Sequence, residues 1–332
     1  MGVNMKAVFK LIADNEDITN LLQDRLLSIN ITDEYGLVSD SLTIELDDRD
    51  NVFSIPDCGA SLEVFLGYAA DNLYNMGKYV VDEVELSGPP HKLSITARAS
   101  NSNEKENMGN FTAARTFSWS THTILGIVRK IAQRYGLQDA VGEDFMHVVI
   151  NHMDQTSESD ASFLQRLARD HGAIIKIAGG KLMFFTPSRG TFPDGTPLPT
   201  IELDMEKMSN YQMRLSERGR YKRVIAKYYD LEEAEEKQVE VGTGEPAFIL
   251  REVSTSAELA KKRARAKLEE VKKGTYTLSL QMEGNPLISA ESRIELKNTR
   301  DELKGIWIVK QTRHSFNSSG FITNLEATRP LE

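Results

Sequence analysis

Cysteine is nearly absent from this 332-residue chain, with Cys58 its only example. One thiol excludes an intrachain disulfide and any cysteine-rich metal site, and it suits synthesis in a reducing cytoplasm. Long apolar runs are missing too. No stretch approaches the roughly 20 consecutive apolar residues that cross a bilayer, so no membrane partner is expected. Met1 to Asp14 lack a basic start followed by a long apolar core, so no signal peptide is expected. Positive charge is in deficit, with 40 Lys and Arg against 49 Asp and Glu and a net charge of −9. A general nucleic-acid binder needs the opposite balance to neutralise phosphates, and no sequence-specific nucleic-acid partner is expected.

The motifs of common catalytic sites are also missing. None of the six histidines forms the H-E-x-x-H pair that puts two zinc ligands on one helical face. His147 and His152 are five apart, which on a helix points them in different directions, and Met146 to Ile150 has the pattern of a strand. There is no G-x-S-x-G elbow and no phosphate loop. Gly179-Gly180-Lys181 sits between two strands, whereas a phosphate loop opens a helix whose N-terminus holds the anion. Glu104, Glu106, Glu143, Asp144, Asp154, Glu158 and Asp160 could supply a carboxylate pair for glycoside hydrolysis, but a solvated surface is the commoner place for such residues. No catalytic, cofactor-binding or metal residue is assigned.

Arg169-Asp170-His171-Gly172 sets an acid beside a histidine and a glycine, and local physics makes it a helix end. Asp160 stands where an N-cap belongs. Phe163, Leu164, Leu167, Ala168 and His171 recur on one helical face. Gly172 can turn left-handed and end the helix, and a histidine in the last turn suits the negative end of the dipole. Ala173 to Ala178 and Lys181 to Phe185 then form a hairpin across Gly179-Gly180.

Hydrophobic residues make up 40% and charged residues 27% of the chain, as in a soluble globular protein of two or three domains. To about Ser100 the apolar residues alternate at period two, as in Leu42-Ile44-Leu46, Leu62-Val64-Leu66 and Leu93-Ile95-Ala97. Turn-rich pieces such as Asp47 to Asn51 and Ser87 to Pro90 separate them, which predicts a barrel or sandwich. Asn101 to Asn110 is polar and aperiodic, like a linker. Thr121 can cap a helix carrying Ile124, Leu125, Val128, Ile131, Ala132 and Tyr135, closed by Gly136. Thr191 to Pro199, rich in proline, is a connecting loop. Strands return at Val224 to Tyr229, Thr275 to Met282, Ile306 to Thr312 and Phe321 to Thr328. One helix interrupts them, with a Thr255/Glu258 capping box, a stripe of Ala260, Ala264, Leu268 and Val271, and Gly274 at its end. Its basic run, Lys261 to Lys267, is most simply a solvated face with i, i+4 pairing. The expected fold is mainly β with an α/β insert (α+β). No sequence repeat links the two β blocks, so any symmetry between them is structural only.

An ordered set of segments resembles the late control gene D family, the hub proteins of contractile phage tails. It comprises Phe117-Ser118-Trp119, the helix from Thr123, Tyr135-Gly136-Leu137, and Gln155 to Gly172, with E-S-D-x-x-F-L-x-R-L-A at its centre. Ala264 to Leu268, Gly274 to Leu280, Gly284-Asn285-Pro286, Trp307 to His314 and Gly320 to Thr323 complete it. The likeness runs from about residue 20 to 328. One departure is Leu287, where such proteins often carry glycine after Asn-Pro.

The resemblance implies two tube-like β-barrel domains, residues 1–103 and 199–332, flanking a mixed α/β insert at 104–198, with one long helix in the second barrel. It also implies a homotrimer that joins the sixfold tail tube to a threefold spike in the tail baseplate of a phage or phage-like particle, after assembly in the bacterial cytoplasm. The implied partners are the tail tube protein, the spike protein, the tape-measure protein and other baseplate proteins, with no cofactor. Acidic positions are expected to line the bore. Partner contacts are expected on the helix Ala257 to Lys273, at Lys261, Arg265, Glu269 and Lys273, although its apolar stripe also suits a helix that only covers core. The alternative function is a tail-associated cell-wall hydrolase or peptidase.

Overall fold

The computed structural model describes residues 6–36, 40–69, 72–99, 111–178, 180–186, 191–193, 195–196, 198, 200–216, 221–230, 232–273 and 276–329. The expected linker Asn101 to Asn110, Gly179 of the hairpin turn and the helix stop Gly274 lie outside the described residues.

The first block holds β1 (Val8–Ala13), β2 (Glu16–Asp17), the short helix α1 (Thr19–Leu22), β3 (Leu26–Glu34), β4 (Ser41–Asp47), β5 (Ser61–Ala69), β6 (Asn72–Ser87) and β7 (Lys92–Ala99). The insert follows with β8 (Ala114–Thr123), α2 (Ile124–Arg134), β9 (Gln138–Val141), α3 (Glu143–Met146), β10 (Val149–Ser159), α4 (Asp160–His171), β11 (Ile174–Ala178) and β12 (Lys181–Phe185). The last block comprises β13 (Thr200–Asp204), β14 (Met208–Leu215), β15 (Arg223–Asp230), β16 (Glu235–Gly242), β17 (Ala247–Ser254), α5 (Ala257–Lys273), β18 (Tyr276–Glu283), β19 (Arg293–Lys297), β20 (Ile306–Asn317) and β21 (Gly320–Thr328).

The fold is mainly β. Its spine is a single sheet in the order β14-β18-β21-β20-β3-β4-β7-β6-β5-β1-β2, with the β13–β19 pair attached to β20. Among the described residues this sheet does not close, and the two β blocks are one sheet. They meet where Gln311 to Asn317 of β20 runs antiparallel to Ser28 to Glu34 of β3. Period-two alternation gives each block its own core. Ile29, Ile31, Leu42, Ile44, Val64 and Leu93 fill the first, and Leu278, Leu280, Ile294, Trp307 and Leu325 fill the last. Phe321 of the last block packs into the first core.

The strand plan occurs twice. β3-β4-β7-β6-β5 has the same pairing order as β14-β18-β21-β20-β19. The bulges coincide as well: the register shifts between Val81 and Glu83 in β6 and between Val309 and Gln311 in β20, and between Leu26 and Ser28 in β3 and between Met208 and Asn210 in β14. Backbone bonds Gly59 N to Val81 O (2.8 Å) and Val81 N to Ala60 O (2.9 Å) are matched by Glu291 N to Val309 O and Val309 N to Ser292 O, both 2.9 Å.

Residues 223–273, expected within the second barrel, pair separately. β16-β15-β17 form their own sheet, covered by α5 through Ala260, Ala264 and Leu268 against Val224 and Ala226. This unit interrupts the connection from β14 to β18. The insert has a further core of Trp119, Ile127, Ile131, Phe163, Leu167 and Phe184.

Three helix starts differ from expectation. α2 is capped by Thr123, whose hydroxyl accepts from Gly126 N at 3.0 Å. Thr121 cannot cap it, because β8 is still paired with β10 at Thr123. α4 is capped by Ser159, accepting from Ser162 N at 3.1 Å, which frees Asp160 to point inward. For α5 the capping hydroxyl belongs to Ser256, accepting from Leu259 N at 3.2 Å, not to Thr255. Each hydroxyl lies at the last non-helical residue, and neighbouring cap-competent side chains hide that register in a sequence. The strand expected at Met146 to Ile150 starts only at Val149, after the single turn of α3. Gly172 is left-handed at φ 67° and ends α4 as expected. At Asn285-Pro286-Leu287 the Asn285 Oδ1 accepts from Leu287 N at 3.1 Å, so an asparagine side chain makes the turn without the family's glycine.

Gly284 is a packing requirement. A Cβ built there would lie 2.1 Å from Cγ of Phe321, the ring that crosses between the two blocks. Gly284→Ala should lower stability by about 1–3 kcal/mol, the usual cost of forcing an extra methyl into a filled core; denaturant unfolding of the purified variant measures it.

Candidate assembly interface

The family-like segment Gln155 to Gly172 builds a buried polar knot. Asp160 is fully buried at the start of α4. Its carboxylate accepts from Arg134 Nη1 at 3.0 Å, from Tyr135 OH at 2.6 Å and from Gln155 Nε2 at 2.8 Å. Gln155 Oε1 in turn accepts from Trp119 Nε1 at 3.2 Å. Burial alone would raise the Asp160 pKa, but Tyr135, Gln155 and Arg134 outweigh it and hold the carboxyl below its ordinary value. Near pH 7 the group is an anion that ties α2, β10 and α4 together.

Asp170 and His171 also have structural tasks. Arg263 of α5 donates to Asp170 Oδ2 at 2.6 Å, a largely buried pair that clamps α4 onto α5. His171 is pushed down to about 4 by burial, then by Lys262 and Arg263, so it is neutral near pH 7. His152 bonds Ser120 Oγ at 3.0 Å and Asp154 at 3.2 Å on the exposed face of β10. Among the described residues no cluster of three His, Cys, Asp or Glu is placed to hold a metal.

Of the expected contact residues, Lys261, Arg265 and Glu269 are exposed along the outer face of α5, one turn apart. The side chain of Lys273 lies outside the described residues. The neighbouring cations face other work: Lys262 pairs with Glu258 at 3.0 Å, Lys267 with Glu270 at 2.8 Å, and Arg263 with Asp170.

Sequence reasoning missed a second polar knot, at the meeting point of all three segments. Glu291, almost fully buried, accepts from Gly36 N at 2.8 Å and pairs with Lys176 of β11. Asp33 accepts from Ala290 N at 2.7 Å, and Asp40 accepts from Glu34 N at 3.1 Å. Burial and the nearby Asp33 charge push Asp40 up to about 7. Burial opposes the charge on Lys176, but Glu291, Asp33 and Asp40 outweigh it and raise its pKa. These residues are far apart in the chain, and no local pattern marks them.

The less buried face of the long sheet is mostly polar across its central strands. Ser279 and Gln281, Asn324 and Glu326, Gln311 and Arg313, Asn30 and Thr32, and Thr43 and Glu45 stand side by side across five strands. Exposed apolar side chains are scattered, from Leu21, Val52 and Ile55 to Leu287, and some stand on strand edges. Tyr211 and Leu215 of the edge strand β14 and Leu86 of β6 are each about half exposed or more.

The structure thus presents a long sheet with a polar-rich face, an open edge and a buried brace. Residues 76–320 match the family model described as phage tail baseplate hub (GPD). The chain belongs to that family, and its function is that of a baseplate hub. It is 29% identical to the probable baseplate hub protein of Escherichia phage P2, across 98% of this chain and 94% of that protein. Identity to the corresponding protein of Escherichia phage 186 is 28%, across 98% and 93%. In fold it is similar to the 43 kDa tail protein of prophage MuSo2 from Shewanella oneidensis, with a TM-score of 0.72, 15% identity and 98% of each chain covered.

Asp160→Asn should cost about 1–3 kcal/mol by weakening the charge-assisted hydrogen bonds from half-buried Arg134 and from Tyr135 and Gln155, measured by urea unfolding at pH 7. Above pH 3.8 the native carboxylate contributes its stability; this is lost as pH falls through its depressed folded pKa. Asp40 has the opposite sign. Its folded pKa near 7 exceeds the unfolded 3.8, so the folded state holds the extra proton and stability declines as pH rises from about 4 to 7. Asp40→Asn should therefore stabilise the chain at pH 8, by roughly 2–3 kcal/mol, and leave pH 4 nearly unchanged. Thermal melts across that range test this, and an unchanged slope in the variant rules it out.

Proposed function

We propose that the chain works as a homotrimer joining the sixfold tail tube to a threefold spike. The repeated strand plan carries this reading. Two units with one pairing order and coincident bulges lie in a single polypeptide, so three copies offer six near-equivalent units to the tube while remaining three different chains toward the spike. Heterologous contacts that close by rotation form such rings. In this reading residues 1–103 and 199–332 are the tube-like units, with 223–273 as an excursion from the second, and 104–198 is the brace between them. The role is architectural, not catalytic. Its partners are the tube, spike and tape-measure proteins and other baseplate proteins, met during assembly in the bacterial cytoplasm.

The polar sheet face lines the bore. Hydroxyl and amide side chains give a passing chain no apolar grip. Glu34, Glu45, Asp47, Glu83, Glu85, Glu283 and Glu326 outnumber Lys92, Arg98, Arg214 and Arg313 there, which repels a polyanion such as DNA. Three copies at −9 carry −27 in all. Co-expression with the neighbouring tail genes, followed by native mass measurement and cryo-EM, should give complexes holding three copies around an acidic channel. A complex with one or two copies, or a basic lumen, would contradict this reading.

A further inference from the structure

We infer that the free edge of β14 pairs with the second half of β6 in a neighbouring copy, in the register that β3 adopts on β20. The inference rests on the trimer reading above and specifies the seam that would close it.

The strand β20 serves two partners along one edge. Glu295 to Arg293 of β19 pair with Ile306 to Ile308, and β3 then continues the edge from Gln311 to Asn317. The equivalent strand β6 has only the first of these partners. Ser61 to Glu63 of β5 pair with Val80 to Lys78 in the same manner. Beyond the bulge, residues 83–87 of β6 pair with β7 on one side and carry no strand on the other among the described residues. The element that fills this position in the other unit, β3, corresponds to β14, which among the described residues is an edge strand paired with β18 alone.

The register follows from the coincident bulges. Ile29 and Ile44 are partners as Tyr211 and Leu280 are, and Ile31 and Leu42 as Met213 and Leu278 are. Val81 and Ala97 correspond to Val309 and Ala327, so Glu85 corresponds to Arg313 and Leu86 to His314. Arg313 faces Thr32, and His314 faces Ile31. Transferred to β6 and the neighbouring β14, this sets Glu85 opposite Arg214, Leu86 opposite Met213, and Val84 opposite Leu215.

Side-chain chemistry agrees with that placement. Within the chain the seam positions are sealed: His314 and Ile31 are each 2% exposed and Ile29 is 0% exposed. Of their counterparts, Leu86 is 55% and Tyr211 51% exposed, with Leu215 of the same edge at 52%, while Met213 is half-buried against the last core. An edge strand with exposed apolar side chains is a template for another strand. Glu85 against Arg214 is an opposite-charge cross-strand pair, and like charges at this position would repel.

The test uses the full chain. Glu85→Arg and Arg214→Glu should each reduce the trimer fraction at fixed concentration about tenfold or more, and the double exchange should restore it. In a Cys58→Ser background, Glu85→Cys with Arg214→Cys should give an oxidised ladder that stops at three chains, with neither single variant forming it. A trimer by mass that yields no ladder and ignores both charge reversals overturns the seam and leaves the trimer standing. A wild-type chain that stays monomeric overturns both, and a ladder running beyond three chains overturns the closed ring.

Discussion

The antiparallel ladder between β3 and β20 is the constraint on which the rest depends. It turns two blocks, each able to bury its own alternating strands, into one continuous sheet. Main-chain hydrogen bonds fix the spacing and direction of the two units far more tightly than a side-chain interface could, because every ladder bond must be kept or left unsatisfied. Phe321 and Gly284 lock the same seam from the side, with Tyr68 OH donating to the Gly284 carbonyl at 2.9 Å. A hub that must hold two units at a set angle gains from a joint with no hinge.

The insert sits against this joint as a brace, held by charge. Lys176 reaches from β11 to Glu291, and Arg263 reaches from α5 to Asp170. Buried ion pairs give little net stability, because desolvation cancels most of the attraction, but breaking one is costly. Such pairs therefore favour one arrangement of the segments over its neighbours.

How much could be read in advance depended on range. The period-two runs Leu42-Ile44-Leu46 and Leu62-Val64-Leu66 gave strands and their core faces correctly, because alternation is a local signal. The helix stop at Gly172 was legible for the same reason. The caps of α2, α4 and α5 were each misplaced by one or two residues, since Ser159 and Asp160, or Thr255 and Ser256, are equally good caps until tertiary contacts choose between them. Asp160 is the clearest case: an expected surface cap is instead the buried anion of the insert. Of the expected contact residues on α5, Lys261, Arg265 and Glu269 are exposed, and exposed apolar side chains also stand on β14 and β6. Exposure there cannot be told from core by alternation alone.

Local composition and ordered motifs determined a mainly β chain, without metal or catalytic signatures, and its hub family. Tertiary structure decided that the two blocks share a sheet, that they repeat one plan, and that 223–273 stand apart as a separate unit. The reason is physical. Strand type depends on neighbours a few residues away, whereas strand partners are chosen across hundreds of residues by edges and buried charges that leave no periodic trace. The repeat is held in pairings and bulges rather than in residue identities, because many apolar side chains can fill the same inward position.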